Sequence, residues 1–274
     1  MVPVCGTVLG KPYLLTHDGV CRMTLALFTD PLAGLRDLLT LIAARRGGAL
    51  GVVLEPVTEP GPGWIPAAEL AREPFLLGAV LDDAAEHRGG IPRHVAGALL
   101  WKGYGYWHTA PMALGWALNR RVPIMRFEDT LVRPADGGVT VAATSVRTAV
   151  LPGDPSAGEP GTVVVDDLGA AVREALITGQ APLIDAVAAL TRVGERTLWG
   201  STAEALVHPL VAHAEILPGD AAAGAPALLA SVGAPVDGLL EWTAEGYRRR
   251  TCCLWATVPD TTACATCCIG RSRL

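Results

Sequence analysis

The sequence predicts an α+β fold with a mostly helical body, a small central antiparallel β-sheet and a cysteine-rich loop at the carboxyl end. Apolar residues at helical spacing fill both halves of the chain, whereas β-branched residues in strand-like runs are grouped in the middle. Grouped strands favour α+β over a doubly wound sheet, in which strands and helices would alternate. Five of the seven cysteines lie after residue 251, so the last stretch is chemically distinct.

The body is predicted to span residues 1–250, with a helical part at 1–121, a β-rich part at 122–166 and a second helical part at 167–250; the tail is 251–274. For the first predicted helix, Asp30 is a suitable cap, Pro31 suits the first turn and Gly47-Gly48 ends it. The first helical part contains the stretches TDPLAGLRDLLTLIAARRGG, AAELAREPFLLGAVLDDAAEH (bent at Pro74), PRHVAGALLWKG and APMALGWALNRR.

The middle of the chain predicts a β-hairpin followed by one more strand. In IMRFEDTLVRPADGGVTVAATSVRTAVL, β-branched residues flank PADGG, which suits a tight turn. GTVVVDD predicts the third strand. The second helical part contains LGAAVREALITG, APLIDAVAALTRV and STAEALVHPLVAHAEI, and PGDAAAGAPA is predicted to be a flexible joint.

Composition narrows the class of protein. Half of the residues are apolar and the mean hydropathy is +0.36, but no apolar run reaches the roughly 18 residues that a membrane-spanning helix needs. The amino terminus lacks the basic and apolar regions of a secretory signal. We therefore expect a cytoplasmic protein without an integral membrane segment, and peripheral attachment to the inner face of a membrane stays open.

Charge and motifs exclude two further classes. The formal net charge is −5 and the pI is about 5.7, whereas a nucleic-acid-binding protein needs a basic stripe. We therefore expect no nucleic-acid partner. No G-x-G-x-x-G stands between a predicted strand and a predicted helix, so no dinucleotide-binding half is predicted.

The tail cysteines follow the pattern C-C-x10-C-x2-C, formed by Cys252, Cys253, Cys264 and Cys267. In a cytosolic protein, clustered thiols favour a metal or redox site over disulfides. A C-x2-C turn directs two thiolates at one metal, and a second pair completes the four-thiolate set that zinc and iron–sulfur clusters accept. The vicinal pair fits a two-iron cluster more easily than a single ion, because neighbouring side chains diverge. The alternatives are a redox dithiol such as Cys264 with Cys267, and a disulfide-stapled tail.

The tail resembles the C-terminal signature of the FhuF-like ferric siderophore reductases. Beyond the cysteine spacing, Arg249-Arg250-Thr251 leads into the first cysteine and Pro259-Asp260 lies within the loop. The segment LWGS at 198–201 is similar to a Leu-Trp segment of the family, and GALLWKGYGYWHTAPMALGWALNRRVP is more loosely similar to its N-terminal helical part. The resemblance covers most of the chain in the order of elements and is specific in the tail.

The resemblance implies a C-terminal [2Fe-2S] cluster held by Cys252, Cys253, Cys264 and Cys267. It implies an oxidoreductase of iron acquisition, which reduces a ferric siderophore by one electron and releases Fe(II). A ferric siderophore is then the substrate, and a ferredoxin or a flavoprotein reductase is the electron donor. Cys268 is an extra thiol directly after the last motif cysteine and is the alternative fourth ligand.

The local basic run Arg248, Arg249 and Arg250 directly precedes the cysteines. Its charges are expected to offset the anionic thiolates and favour the reduced cluster, or to attract an acidic donor or an anionic chelate. The alternative is a solvated helix end, where the helix dipole favours arginine.

Other candidate residues have ordinary structural explanations. The aromatic run Trp101, Tyr104, Tyr106 and Trp107 is typical of core packing, with a cleft for a bulky chelate as the alternative. Trp255 either shields the cluster or packs. The histidines show no metal-ligand spacing, and Cys5 and Cys21 are expected to be buried thiols.

Two rival functions remain at this point. The tail can instead be a zinc-stapled interaction module. Alternatively, the chain is a siderophore-synthetase-related protein, because the family's fold is related to a domain of siderophore synthetases that lack the cysteine tail. Such an enzyme needs an ATP site, and the sequence contains no glycine-rich phosphate loop.

Overall fold

The computed structural model describes residues 4–8, 11–14 and 30–269. Strands β1 (Val4–Val8) and β2 (Lys11–Leu14) pair as an antiparallel hairpin within a first compact unit, Met1–Asp30. Cys21 lies outside the described residues, and only the backbone of Cys5 is described, so their burial stays a prediction.

The second compact unit, Pro31–Leu274, holds the helices and the remaining strands. The helices of its described part are α1 (Ala33–Arg46), α2 (Ala67–Arg72), α3 (Pro74–Glu86), α4 (Arg93–Asn119), α5 (Leu168–Thr191), α6 (Glu195–Ala212) and α7 (Ala221–Val232). The strands are β3 (Ile65–Pro66), β4 (Val122–Ile124), β5 (Thr130–Ala135), β6 (Gly138–Ala143), β7 (Arg147–Val150), β8 (Thr162–Val164), β9 (Leu240–Thr243) and β10 (Gly246–Arg249). The predicted α+β class is confirmed.

The strands form two small central sheets and a separate hairpin. The order β3-β5-β6 is antiparallel, whereas in β4-β7-β8 the last pair is parallel, so the central β-structure is not purely antiparallel as predicted. The stretch 151–161 between β7 and β8 supplies the crossover that parallel pairing needs. The predicted hairpin is β5–β6, with Asp136 and Gly137 in its turn at φ of 47° and 71°.

Two predicted helix breaks do not occur. PRHVAGALLWKG and APMALGWALNRR belong to the single helix α4, which contains Pro111, and α5 likewise continues through Pro182. An internal proline removes one helical hydrogen bond, but both helices bury side chains before and after it, and this packing holds the two halves in line.

Two further segments differ from the prediction. The predicted flexible joint PGDAAAGAPA contains the start of α7, because the Asp220 side chain caps the helix by accepting from Ala223 N at 2.9 Å. The predicted helical part 167–250 ends in the antiparallel hairpin β9–β10. In β10, Tyr247 and Arg249 are buried and Arg248 is exposed, which is the period-two pattern of a strand.

Helix α4 lies at the centre of the second unit and packs against α1, α3, α5, α6 and α7. One apolar core lies among α1, α4, α6 and α7, and a second lies between α3, α4, α5 and the β5–β6 hairpin. The indole N–H of Trp101 on α4 donates to Leu198 O on α6 at 2.9 Å. No helix in the described part of the chain combines the length and the apolar character needed to cross a membrane.

Candidate metal centre

The cysteine tail leaves strand β10 and folds back against it. The backbone N–H of Arg249 donates to Thr266 O at 2.9 Å, and the N–H of Cys267 donates to Cys264 O at 3.0 Å. The second bond closes the C-x2-C turn that the sequence predicts. Both ends of the ten-residue loop are therefore held beside the same strand.

Two of the four predicted ligands come together as a pair. The Sγ atoms of Cys253 and Cys264 lie 4.0 Å apart. The Cys268 thiol interacts electrostatically with both Cys252 and Cys267. Among the residues that the structure describes, no group of three or more His, Cys, Asp or Glu side chains is arranged to hold a metal ion. The structure thus contains no preformed four-thiolate cage.

The donor set nevertheless fits a thiolate-bound metal. Two thiolates held at about 2.3 Å from one tetrahedral ion lie roughly 3.7–3.8 Å apart. The separation of 4.0 Å between Cys253 and Cys264 is close to that value. Cys252 and Cys267, with Cys268 as the alternative, supply the remaining sulfur donors. The assignment of four ligands to a [2Fe-2S] cluster stays a prediction.

Backbone amides surround the sulfur atoms. Three N–H groups donate to cysteine sulfurs: Leu254 N to Cys252 at 3.3 Å, Trp255 N to Cys253, and Ile269 N to Cys267 at 3.5 Å. Leu254 has a left-handed backbone with φ of 61°, and this turn presents two successive N–H groups to the vicinal cysteines. Hydrogen bonds of this kind stabilise negative charge on sulfur and set the reduction potential of iron–sulfur centres.

A buried ionic cluster lies next to the thiols. Glu204 on α6 pairs with Lys102 on α4 at 3.6 Å and with Arg249 at 3.1 Å, and it accepts a short hydrogen bond from Thr266. Burial by itself raises the pKa of Glu204, but the two cations and the Thr266 hydroxyl outweigh it, so the pKa lies below its usual range. Glu204 is therefore an ionised anchor between the helical body and the tail.

The positive charges also act on the thiol pair. Lys102 Nζ lies 3.9 Å from Cys253 Sγ. The hydrogen bond from Cys264 lowers the pKa of Cys253, burial opposes this, and the charges of Lys102 and Arg249 lower it further. The same hydrogen bond, burial and the Cys253 charge raise the pKa of Cys264. Cys253 is thus the thiol of the pair that ionises first.

The three arginines of the basic run do not act as a set. Arg248 and Arg250 are exposed, whereas Arg249 is 2% exposed. Its guanidinium bonds to Glu204, to the Ser201 hydroxyl at 2.9 Å, and, at 3.4 Å each, to Thr197 O and Thr251 Oγ1. Burial removes Arg249 from any docking surface, because strand geometry turns it inward, but its charge still acts on Cys253, so the tuning role stays a prediction. None of the three lies at a helix end; they belong to β10 and the residue after it.

Two sequence features that lie far apart in the chain meet here. The LWGS segment lies in the first two turns of α6, and the Arg-Arg-Thr lead-in packs on it. A Cβ at Gly200 would overlap the Thr251 hydroxyl. Ser201 of the same segment accepts the hydrogen bond from Arg249. Gly200 thus allows the close approach of the tail to the helix.

The remaining candidates are mostly structural. Trp101 and Tyr104 are buried core residues that border a small apolar cavity. Tyr106 is half-buried and its hydroxyl hydrogen-bonds to His208 Nδ1 at 3.1 Å. Trp255 is 37% exposed beside the cysteines, so it covers the site only in part.

Sequence reasoning missed Lys102 and Glu204. Both lie far from the cysteines in sequence, on helices whose apolar pattern alone was interpreted. A signal was present for Lys102: it and Lys11 are the only lysines among 22 basic residues, the other 20 being arginines.

A scan against protein-family models and a search of the curated proteins found no match. Among solved structures, two aerobactin synthetases from a hypervirulent pathotype of Klebsiella pneumoniae are similar. ATP-bound IucA is 15% identical, with a TM-score of 0.37, over 54% of this chain and 28% of its own. IucC is 14% identical, with a TM-score of 0.46, over 81% of this chain and 45% of its own.

This chain therefore spans less than half of either synthetase. Both matched proteins are aerobactin synthetases. At these TM-scores the likeness carries no argument about activity.

Proposed function

We propose that this chain reduces a ferric siderophore by one electron through a [2Fe-2S] cluster held by Cys252, Cys253, Cys264 and Cys267. The observation that carries the proposal is the thiol pair Cys253–Cys264, with 4.0 Å between its sulfurs, set among N–H donors and beside Lys102. Cysteine thiolates hold an iron–sulfur cluster, and N–H groups directed at their sulfurs help to set its reduction potential.

When bound, the cluster exchanges single electrons, which is the stoichiometry of reducing Fe(III) to Fe(II). Siderophores hold Fe(III) through hard oxygen donors, and Fe(II) suits those ligands less well. One electron from a ferredoxin or a flavoprotein reductase therefore suffices to release iron. The products are Fe(II), the free siderophore and the donor oxidised by one electron.

The chain's own residues have defined tasks in this proposal. The cysteines donate sulfur, and the N–H groups of Leu254, Trp255 and Ile269 stabilise the charge on it. Glu204 and Arg249 hold the tail on the helical body. Arg248, Arg250 and Cys268 are exposed, so a partner can approach them.

Anaerobic purification with quantitation of iron and acid-labile sulfide tests the proposal. We expect equal amounts of iron and sulfide, and visible absorption above about 400 nm from thiolate-to-iron charge transfer. The dithionite-reduced protein should then reduce a ferric siderophore, one Fe(II) per cluster, detected with a ferrous chelator. A colourless protein with bound zinc would overturn the proposal and support the zinc-stapled interaction module.

The synthetase alternative is tested on the same preparation. An ATP-dependent ligase would bind ATP in calorimetry and consume it when given the carboxylate and amine building blocks of a siderophore. ATP consumption by metal-free protein would overturn the reductase assignment. Absence of ATP binding, together with an intact cluster, would remove the synthetase alternative.

A further inference from the structure

The side chain of Lys102 stands out from the other basic residues of the described chain. It comes from the middle of α4, remote from the tail in sequence, and its Nζ lies 3.9 Å from Cys253 Sγ. Among the residues that the structure describes, it is the only cationic side chain that donates to a cysteine sulfur. Its side chain is 32% exposed, so the ammonium lies at the boundary between the helical body and solvent.

Arg249, the other cation near the thiols, does not donate to a cysteine sulfur in the described structure. Its charge acts on Cys253 from a distance, but its guanidinium donates to Glu204, Ser201, Thr197 and Thr251. Those contacts fix the tail and leave Arg249 turned toward α6. Arg248 and Arg250, the neighbours of Arg249 in sequence, are exposed instead of buried, and they contact no sulfur in the described structure.

Lysine is chemically suited to this position. Its ammonium is a compact point charge with three donors, whereas guanidinium is a planar fork that spreads its charge. One ammonium can therefore face the Glu204 carboxylate, at 3.6 Å, and the sulfur at the same time. This chain uses arginine at 20 of 22 basic positions, so a lysine at the thiol pair is a departure from its own usage.

We propose that Lys102 is a positioning residue of the metal centre: held by Glu204, its ammonium faces the Cys253 thiolate and supplies the positive charge that stabilises the reduced cluster. The inference rests on the proposed function, because it assigns to that centre a residue outside the cysteine motif. It adds a residue of the helical body to the tuning role that the sequence suggested for three arginines.

The test compares Lys102→Met with Lys102→Arg and with Arg248→Gln. Methionine keeps the length of the side chain and removes the charge, and Arg248→Gln removes one exposed charge from the same end of the molecule. A unit charge at about 4 Å changes an equilibrium roughly fivefold even at the dielectric constant of water. We expect Lys102→Met to shift the redox equilibrium about three- to tenfold toward the oxidised form, which lowers the potential by roughly 30–60 mV.

Protein-film voltammetry at low and high salt measures the shift. Lys102→Arg and Arg248→Gln should each stay within about twofold of wild type, and the Lys102→Met shift should persist in salt because the site is partly buried. An unchanged potential in Lys102→Met, or an equal change in Arg248→Gln, would overturn the inference. If Lys102→Met lowers the stability in urea but leaves the potential unchanged, the inference is also overturned, because Lys102 would then act only as the ion-pair partner of Glu204.

A second measurement applies if the protein assembles no cluster, an outcome that would also contradict the proposed function. Cobalt(II) added to the metal-free variants reports thiolate binding by its charge-transfer band. Lys102→Met should weaken cobalt binding about three- to tenfold, because the anionic thiolate complex loses its adjacent cation. Equal affinities in wild type and Lys102→Met would overturn the inference whether or not the natural cofactor is iron.

Discussion

At the residue scale, Cys253 and Cys264 are the pair on which any metal centre of this tail depends. Changing either cysteine to serine removes a soft sulfur donor from a pair already within metal-binding distance. We expect Cys253→Ser and Cys264→Ser to lose the visible absorption of the iron-loaded protein. Cys268→Ser should retain it, and Cys267→Ser should retain part of it, because Cys268 lies near the same sulfurs.

The control for this prediction is Cys5→Ser and Cys21→Ser, which lie outside the motif and should leave the spectrum unchanged. Absorption spectra with iron quantitation decide the matter. Full cluster occupancy in Cys267→Ser together with loss in Cys268→Ser would assign the fourth ligand to Cys268. Bleaching by Cys5→Ser but not by Cys253→Ser would contradict the whole ligand assignment.

Arg249 and Arg248 allow a second residue-scale prediction. Arg249→Gln breaks a buried ion pair, and Glu204 then keeps only the half-exposed Lys102 as a cationic partner. Removing one partner of a buried pair costs about 3–5 kcal/mol. We expect Arg249→Gln to lose about 3 kcal/mol in the free energy of unfolding by urea. Arg248→Gln is exposed and should change it by less than about 0.5 kcal/mol, and equal losses in the two variants would contradict the burial pattern.

The same residues show how far sequence reasoning reaches. The cysteine spacing predicted a C-x2-C turn, and the turn is present because its geometry is local. The run of three arginines was interpreted as one charge patch, because adjacency in sequence carries no information about strand register. In a strand, neighbouring side chains point to opposite faces, so Arg249 is buried and its neighbours are not. Lys102 and Glu204 reach the site through helix packing that no local pattern encodes.

At the scale of elements, the proposed metal centre depends on the contact between α6 and the tail. Gly200 lies under Thr251, where a Cβ would overlap the hydroxyl and the chain must shift. We expect Gly200→Ala to lower iron loading several-fold while the helical content of the body is kept. Circular dichroism and iron quantitation measure the two effects separately.

The matched control is Gly194→Ala at the start of α6, where an added Cβ meets no atom within 4 Å. A second variant, Thr251→Ala in the Gly200→Ala background, removes the overlapping hydroxyl and should restore part of the loading. Equal loading in Gly200→Ala and wild type would show that the tail does not need this close approach.

Element boundaries show the limits of sequence prediction more clearly than element types. Pro111 and Pro182 lie where a new helix was predicted to begin, yet α4 and α5 continue through them, because packing on both sides of each proline outweighs the lost hydrogen bond. The alanine-rich segment after Asp220 was expected to be a joint. It is helical because Leu228, Leu229 and other side chains of α7 enter the core, which depends on tertiary contacts.

At the scale of the whole molecule, a buried polar network fixes the helices that carry Lys102 and Glu204. The Gln180 side chain on α5 donates to His108 Nδ1 at 3.1 Å and to Thr109 Oγ1 at 2.8 Å, both on α4, and accepts from Thr202 on α6 at 2.8 Å. Each of these hydrogen bonds joins side chains on two different helices, α5 with α4 or α5 with α6. The network thus sets the spacing between α4 and α6, on which the Lys102–Glu204 pair depends.

The last prediction follows from the proton balance of this network. His108 is fully buried, and burial lowers its pKa to about 4, with the Met125 carbonyl opposing the shift only in part. The unfolded chain, with a histidine pKa near 6.5, therefore binds more protons than the folded chain between about pH 4 and 6.5. Stability contributed by neutral His108 is complete above pH 6.5 and is lost as the pH falls toward 4. We expect this loss to reach about 2–3 kcal/mol at pH 4.5.

The experiment is urea unfolding of wild type and His108→Gln at pH 7.5 and pH 4.5. Glutamine can accept the same hydrogen bond from Gln180 but does not titrate, so the variant lacks this pH dependence. His208 and His213 also have lowered pKa values through burial, and comparison with the variant cancels their contribution. The stability difference between wild type and variant should shrink by about 2–3 kcal/mol on acidification. A difference that stays constant between the two pH values would show that His108 is not held neutral in the folded protein.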